Sequence, residues 1–443
     1  MTPSQRTVVV AGGAGDAPPG HAQPDLTVCF DGDRRNVALD LDRITAELPG
    51  AIPSRLRDFL EIALAVYSAD LAFARGRNED WVRSTSFLVP VRDPDFWSSV
   101  EPQLARFLYV LCKDAYVFGF CAREAEDEAS DGVSAPEVEA DCVSLLSGGL
   151  DSFAGAAVLL AAGRKTVFVA HRPHNATVAA SQTHVHGCLT RRFGEGARLV
   201  AVPCGPARAA DTSHPFPPPD ERETSQRARS FLYLTLGAVA CHLAGARELV
   251  CPENGLLAAN LPLTEARVGG QSTAGTRPQT LSAFSELVAA LGLDIAVANP
   301  FVYHTKGELV RDVLSQHFGI EEIQGAVSCW MAGRMSRPCG ACIPCMVRAV
   351  SMDAAGLPKE AHMRDPLGTG GLTAPDTAAR ANLVDLITFV RRFSSQTDTE
   401  LLMAYPGLLD LAPHVNPVAA IKTLRRFATE TRGALDLPGV VGD

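Results

Sequence analysis

A run of small and polar residues near the middle of the chain has the clearest potential for chemistry. It reads Ser147-Gly148-Gly149-Leu150-Asp151-Ser152 and lies between two apolar runs. The pattern predicts a turn from a buried strand into a helix, because glycine lets the backbone bend sharply and approach a ligand. The free N–H groups and the dipole at the start of such a helix form a site for a phosphate-sized anion. Ser147 and Ser152 add hydroxyl donors, and Asp151 can hold a metal ion or simply cap the helix.

Four cysteines form a second group of residues suited to chemistry. They follow the pattern C-x9-C-x2-C-x2-C and are Cys329, Cys339, Cys342 and Cys345. Two residues between ligands allow a tight turn to direct two thiolates at one ion, and four thiolates complete a closed tetrahedral zinc site. Gly340 and Pro344 are turn-forming residues within this pattern. No Cys-Pro ending of the ferredoxin type follows Cys345, so we predict a structural zinc knuckle over residues 329–348.

Composition limits the class of protein. The chain has 443 residues, of which 47% are apolar and 20% charged, and its formal charge is −10. This length suits about two or three domains, and the acidic balance argues against broad nucleic-acid binding. The start of the chain shows no secretory signal, and the longest apolar stretch, 231–246, is too short and too polar to span a membrane. We therefore expect a cytoplasmic protein whose cysteines are reduced or bind metal.

Helix and strand patterns divide the chain into four segments. Residues 1–123 mix both patterns without a regular strand–helix–strand rhythm, which predicts an α+β domain, and the acidic segment 124–140 has the composition of a linker. Over 141–356 strands alternate with helices, which predicts an α/β fold whose parallel sheet binds a nucleotide at the first strand–helix turn. Residues 357–443 are predicted to form a helical C-terminal region. In the third segment the predicted strands are 142–146, 166–170, 198–202, 249–251 and 295–298, and the predicted helices are 152–162, 179–193, 227–244, 280–291 and 306–317.

Two loops, 203–226 and 255–279, are too long to be simple connections. Loops of this length are usually lids or substrate loops, or else disordered. In the second loop Arg277 is the natural contact for an anion, with a merely exposed arginine as the alternative reading.

The glycine-rich run also resembles a known nucleotide-binding loop. No Gly-Lys-Ser/Thr follows its glycines, so it is not the P-loop that handles a γ-phosphate. The whole run instead resembles the pyrophosphate loop of the PP-loop ATP pyrophosphatases. That resemblance implies cleavage of ATP between its α- and β-phosphates and activation of an acid by transfer of AMP.

Together, the loop and the knuckle resemble the 7-cyano-7-deazaguanine synthase (QueC) family. The likeness extends from Asp141 to about Gly356. Its further segments are Arg229-Ser230-Phe231, Asn299-Pro300-Phe301, Lys306-Gly307-Glu308, Ser328-Cys329-Trp330 and 339–349. The resemblance implies a Rossmann-like parallel sheet of the PP-loop (HUP) type that carries the zinc knuckle.

A mechanism follows from the resemblance. ATP would bind residues 147–152 with Mg²⁺, and the carboxylate of 7-carboxy-7-deazaguanine would attack the α-phosphate to give an acyl-adenylate. An amine would then displace AMP, and in the stand-alone synthase ammonia and a second ATP lead to a nitrile. Asp151 and Lys306 would be catalytic, with Lys306 supplying positive charge to the phosphates or the oxyanion. Arg229 would contact phosphate or substrate, and Arg348 would brace the knuckle.

The first 140 residues and the helical tail have no counterpart in the stand-alone synthase. A QueC-like core with such an extension resembles the QatC component of Qat antiphage systems. The resemblance then implies that a partner protein from the same defence operon supplies the amine from its N-terminus, and it leaves room for a homodimer. The alternatives are an ordinary 7-cyano-7-deazaguanine synthase of queuosine biosynthesis, a PP-loop tRNA sulfurtransferase, and a non-catalytic nucleotide-sensing subunit.

Overall fold

A computed structural model describes residues 5–10, 24–30, 35–76, 82–123, 138–206, 215–263, 274–365, 367 and 377–435. Most of the expected linker, residues 124–137, lies outside the described residues. The same holds for residues 207–214 and 264–273 of the two long loops.

The N-terminal elements build a parallel sheet. They are β1 (Gln5–Val10), β2 (Leu26–Val28), β3 (Val37–Leu39), α1 (Asp42–Glu47), α2 (Ser54–Ala72), β4 (Ser84–Val91), α3 (Pro94–Cys112) and β5 (Ala115–Ala122). Four of the strands pair in the order β2-β1-β4-β5, all parallel. The expected mixture of helices and strands is present, but the β4–α3–β5 crossover shows a rhythm that the sequence did not reveal. β2 and β3 have three residues each, too few for a recognisable pattern, so a regular rhythm could not be recognised over the N-terminal segment as a whole.

The central elements alternate as the sequence predicts. They are β6 (Cys142–Leu145), α4 (Leu150–Ala161), β7 (Thr166–Arg172), α5 (Ala176–Phe193), β8 (Ala197–Pro206), α6 (Arg229–Leu243), β9 (Glu248–Val250), α7 (Gly255–Ala259), α8 (Pro278–Ala290), β10 (Ala296–Ala298), α9 (Lys306–Glu308), a π-helical stretch (Leu309–Leu314), α10 (Ser315–His317), α11 (Ile320–Gln324) and α12 (Ile343–Ala354). The long loop predicted over 255–279 begins with the short helix α7. The side chain of Asn254 caps this helix, because it accepts hydrogen bonds from the N–H groups of Leu256 and Leu257.

The central strands form a six-stranded sheet in the order β10-β9-β6-β7-β8-β3. Strands β6 to β10 are parallel, whereas β3 pairs antiparallel with the end of β8. Both faces are covered: Val167 and Val169 of β7 pack in the cluster that includes α6, and Phe168 packs in the cluster that includes α4 and α5. This confirms the α/β prediction and the covered parallel sheet.

The N-terminal unit and the central sheet share one hydrophobic cluster. Phe59 of α2 packs against Phe231 of α6 and Phe284 of α8, with ring centroids 5.6 and 6.2 Å apart. A buried ionic contact reinforces this joint, because the Asp70 carboxylate binds Arg83 and accepts a hydrogen bond of 2.9 Å from the N–H of Ala228. The start of α6 is thus fixed by the N-terminal unit, and the expected domain boundaries stay a prediction.

The C-terminal region is helical, as expected. It contains α13 (Thr377–Ser395), α14 (Asp398–Ala404), a 3₁₀ helix (Pro406–Leu411) and α15 (Pro417–Ala434). These elements pack with α12 around a second hydrophobic cluster. Pro406 is the first residue of the 3₁₀ helix, a position where the N–H group that proline lacks is not needed. Among the described helices, none combines the length and apolar character that crossing a membrane requires.

Candidate active site

The 147–152 loop has its conformation fixed at one carbonyl group. Gly148 has φ +87°, and its carbonyl oxygen accepts hydrogen bonds from the Ser181 hydroxyl at 2.8 Å and from the Val327 N–H at 3.1 Å. A Cβ at this position would lie 3.0 Å from the backbone nitrogen of Gln182. Both the left-handed backbone and the close approach therefore require glycine here.

Two serines close the loop at the start of α4. Their hydroxyl oxygens, on Ser147 and Ser152, lie 3.1 Å apart, and the Ser152 hydroxyl donates to the Gly149 carbonyl at 3.0 Å. Gly149 is the N-cap residue and offers no side chain to the first N–H groups of the helix. Those N–H groups are the ones that bind an anion at a helix start.

Asp151 and Lys306 form a buried ion pair. The Lys306 Nζ lies 2.6 Å from an oxygen of Asp151, and the two residues are 4% and 8% exposed. Lys306 begins α9, whose N-cap Thr305 forms a capping box with Glu308, so the lysine is held at a fixed helix start. A pair this deeply buried depends on further hydrogen bonds to its carboxylate. Asn254 supplies one, from its side-chain nitrogen to Asp151 at 3.1 Å.

Glu253 adds a second carboxylate beside this pair. The Asn254 side-chain nitrogen also donates to Glu253 at 3.0 Å and so bridges the two acids. Burial raises the pKa of Glu253 well above its usual value, the charge of Asp151 raises it further, and Lys306 opposes this. The two carboxylates offer the hard oxygen ligands that Mg²⁺ takes in proteins.

Sheet topology explains why these residues meet. β7 and β8 extend the sheet on one side of β6, and β9 and β10 extend it on the other. The order in which the chain adds strands therefore reverses at β6, so that β6 and β9 are neighbours whose connections leave to opposite sides. In open parallel sheets, ligands bind in the crevice at such a point. The 147–152 loop follows β6, Glu253 and Asn254 follow β9, and Lys306 follows β10.

Arg229 lies in a different part of the site. Its guanidinium donates to the Gln226 side-chain oxygen at 3.1 Å and stands over the Tyr233 ring, 5.6 Å from the centroid. In the described part of the chain, no hydrogen bond or ion pair joins Arg229 to Asp151 or Lys306. Three residues were predicted to be catalytic. The structure brings together Asp151 and Lys306, but not Arg229.

The described interactions of Arg277 involve parts of the chain other than the 147–152 loop. It is the N-cap residue of α8, and burial lowers the pKa of its guanidinium, against the opposing charge of Asp410. Its positive charge in turn lowers the pKa of Lys113, the residue that follows α3, where burial is the larger cause. The described interactions of Arg277 thus connect α8 with α3 and the C-terminal region, and its role as a phosphate contact stays a prediction.

The four cysteines form a compact sulfur cluster. The sulfur atoms of Cys329, Cys339, Cys342 and Cys345 all lie within 4.8 Å of one another, and all four residues are buried. Cys339 and Cys345 are 3.9 Å apart, close to the ~3.8 Å of a tetrahedral site with Zn–S bonds of about 2.3 Å. Hydrogen bonds from Cys342 and Cys345 hold the pKa of Cys329 well below its usual value. The cluster could therefore hold zinc, as the spacing predicted.

Arg348 connects the knuckle to the loop. This buried residue of α12 binds both oxygens of Glu360 at 2.6 and 2.7 Å and donates to the Ala326 carbonyl at 2.7 Å. It also donates to carbonyl groups at the end of α11. Val327 follows Ala326 in the chain, and its N–H group donates to the Gly148 carbonyl. The geometry agrees with a bracing role for Arg348.

Sequence reasoning missed several members of the site. Glu253 and Asn254 come shortly after the predicted strand 249–251, and the rule that parallel strands end at one edge of a sheet was a usable signal for them. Ser181 and Val327 gave no signal, because their contacts with Gly148 depend on tertiary packing.

Comparisons with known proteins show what this chain is similar to. No protein-family model matches the chain. The 7-cyano-7-deazaguanine synthase of Cupriavidus necator is 26% identical over 235 residues, which are 49% of this chain and 94% of the relative. The synthase of Xanthomonas euvesicatoria is 28% identical over 144 residues, or 30% of this chain and 56% of the relative. About half of this chain is therefore similar to 7-cyano-7-deazaguanine synthases at 26–28% identity.

Replacing Gly148 tests the loop. We expect Gly148→Ala to lower the free energy of unfolding by about 1–2 kcal/mol through its left-handed backbone. It should also weaken ATP binding, measured by calorimetry, at least tenfold, because the new Cβ forces the loop away from Gln182. Gly163→Ala is the matched control: it has φ +73°, and a Cβ there meets open space. Equal ATP affinities of the two variants would contradict this account.

Removal of one sulfur ligand tests the knuckle. Cys345→Ser should lose bound zinc, measured by mass spectrometry of metals, and should unfold at a much lower temperature. The physical reason is that binding of a structural zinc ion contributes about 10 kcal/mol or more to folding. Cys241→Ser, at a buried thiol outside the cluster, should keep the wild-type metal content. A metal-free wild-type protein of unchanged stability would refute the zinc site.

Glu253 provides a pH test of the site. Because its pKa is raised in the folded chain, the charged form destabilises the protein, and this cost grows as the pH rises through the folded-state pKa. In Mg²⁺-free buffer we expect Glu253→Gln to raise the unfolding temperature at pH 8 by about 2 °C. The gain should vanish toward pH 4, where Glu253 is protonated. The exposed Glu321→Gln should show no such trend, and a gain independent of pH would contradict the assignment.

Proposed function

We propose that the chain is an ATP-dependent ligase that adenylates the carboxylate of 7-carboxy-7-deazaguanine or a related deazapurine acid. A carboxylate oxygen attacks the α-phosphorus, the bond to the bridging α–β oxygen breaks, and pyrophosphate leaves. An amine nitrogen then attacks the acyl carbon, AMP leaves, and loss of a proton gives an amide.

The observation that carries this proposal is the arrangement around the 147–152 loop. Its serine hydroxyls and the first N–H groups of α4 suit a pyrophosphate group. The Lys306 Nζ lies 2.6 Å from Asp151, which is in the first turn of α4. The names of the distant relatives add the deazaguanine chemistry.

Each residue then has a separate task. Ser147, Ser152 and the helix N–H groups bind and orient the phosphates, and Lys306 stabilises negative charge that develops during transfer. Mg²⁺ would be held by Asp151 and Glu253 and would supply further positive charge to the phosphates. Zinc in the knuckle would have a structural task, since four thiolates leave no open ligand position.

The amine source is the more specific part of the proposal. The matched relative covers 49% of this chain, so about half of the chain has no counterpart in it. We propose that the added segments bind a partner protein from the same operon. The N-terminal amine of that partner would accept the deazapurine, and the two proteins would act in an antiphage defence system.

Intact-mass analysis of the partner tests this function. After incubation of the full chain with ATP, Mg²⁺, the deazapurine acid and the operon proteins, one partner should gain the mass of the acid minus water. Lys306→Met should reduce the modified fraction formed per minute about 100-fold or more, because the fixed charge at the phosphates is lost. The exposed Lys422→Met is the matched control and should react like the wild type.

Two outcomes would contradict the proposal in different ways. Free nitrile product with an unmodified partner would show ordinary 7-cyano-7-deazaguanine synthesis. Equal rates for Lys306→Met and the wild type would exclude chemistry at this site.

A further inference from the structure

Helix α15 of the C-terminal region presents three polar residues to the segment that carries Lys306. They are Thr423, Arg426 and Glu430, and their spacing of three and four residues places them on one face of the helix. The likeness to the QueC family ends before the C-terminal region begins. The contacts of this helix face are therefore additions to the QueC-like part of the site.

Glu430 binds the residue that caps the helix of Lys306. The buried Thr305 hydroxyl donates a hydrogen bond of 2.6 Å to one carboxylate oxygen of Glu430. The same hydroxyl accepts the Glu308 N–H at 3.0 Å, which is the capping bond at the start of α9. Because the donated bond orients the hydroxyl, Glu430 favours the arrangement in which an oxygen lone pair faces that N–H group. Lys306 is the next residue along the chain.

Gly307 leaves space for the Glu430 carboxylate. A Cβ at Gly307 would lie 2.8 Å from one of the carboxylate oxygens. The other oxygen, Oε2, is buried and has no hydrogen-bond partner among the described residues, and burial raises the pKa of this carboxyl group. A buried carboxyl with one unpaired oxygen contributes little to stability. Its contact with Thr305 is better explained by a task in the site.

Arg426 holds the carboxylate that completes the cap. Its Nε donates to Glu308 at 2.6 Å, and the other oxygen of Glu308 accepts the Thr305 N–H at 2.9 Å. Arg426 also donates to the Tyr303 carbonyl at 2.6 Å, and the Thr423 hydroxyl donates to the same carbonyl at 3.2 Å. The chain is thus bonded to α15 both before and after the site lysine.

The same face of α15 contacts a second segment of the site. Gly255 begins α7 directly after Asn254, whose side chain donates to Asp151. A Cβ at Gly255 would lie 3.0 Å from the methyl carbon of Thr423, and the Gly255 N–H donates to the His304 carbonyl at 2.8 Å. Helix α15 therefore packs against both segments that bring a nitrogen donor to Asp151.

We propose that α15 is a positioning element of the site, in which Glu430 and Arg426 fix the place of Lys306. Glu430 acts through the Thr305 hydroxyl, and Arg426 acts through the Glu308 carboxylate. The proposal rests on the proposed function, because Lys306 has its task during the transfer of AMP. Since the 147–152 loop binds the phosphates, loss of these contacts should lower kcat and leave ATP binding nearly unchanged.

Acid-dependent exchange of labelled pyrophosphate into ATP tests this role in the full chain. With Mg²⁺ and 7-carboxy-7-deazaguanine, this exchange reports adenylation without an amine. Glu430→Ala should lower kcat about tenfold or more and change the KM for ATP by threefold or less, because small displacements of a charged group are costly during transfer. Glu430→Gln should restore most of the kcat, since its amide oxygen still accepts the Thr305 hydroxyl.

A second variant keeps the test decisive if Glu430→Ala does not fold. The Arg426 side chain is 45% exposed, so Arg426→Ala should fold, and it should lower kcat about fivefold or more with the same small change in KM. Arg432→Ala, at an exposed arginine of the same helix, is the matched control and should react like the wild type.

Three results would overturn the positioning role alone. They are wild-type kcat in both Glu430→Ala and Arg426→Ala, an equal loss of kcat in the Arg432→Ala control, and a tenfold rise in the KM for ATP at unchanged kcat. A wild type that shows no acid-dependent exchange would overturn the proposed function, and the positioning role with it.

Discussion

The carbonyl group of Gly148 is the point on which the site depends. It is held from two directions, by the hydroxyl of Ser181 on α5 and by the N–H of Val327 ahead of the knuckle. These two bonds fix the direction in which the chain enters α4, and therefore where Asp151 points. Since Arg348 holds the segment before Val327, the cysteine cluster and the 147–152 loop belong to one rigid assembly. In this protein the knuckle is part of the support for the 147–152 loop, the proposed nucleotide site.

Charge in the site is arranged around a single lysine. Lys306 is buried with two acids nearby, Asp151 and Glu253, and burial together with the charge of Asp151 raises the pKa of Glu253 well above its usual value. The Asn254 side chain relieves part of the repulsion between the acids by donating to both. Such a site favours an additional cation and, once that is bound, the negative groups that accompany it.

Local patterns in the sequence were sufficient for the central fold. Strands and helices alternate there with clear periodicity, and the observed elements lie within a few residues of the expected ones. The cysteine spacing likewise required only short-range geometry. The N-terminal sheet was harder to predict, because a three-residue strand such as β2 carries almost no periodic signal.

Contacts between distant segments were the part that the sequence could not provide. Tyr67 stands next to Gln226 only because α2 packs against α6, and no local property of Tyr67 indicates this. Arg277 shows the opposite case, since a cation in a long loop was expected at the phosphates and its described interactions lead to Asp410. In both cases tertiary packing, not residue type, decides the surroundings of the side chain.

The two outermost strands of the central sheet have a consequence for assembly. β3 and β10 are three residues long, and β3 pairs with the last three residues of the ten-residue β8. Edges this short offer few unpaired backbone groups to another polypeptide, which is how natural sheets avoid growing from molecule to molecule. The small antiparallel strand therefore occupies the edge position at the end of β8, where it leaves only three residues of its own to pair with another chain.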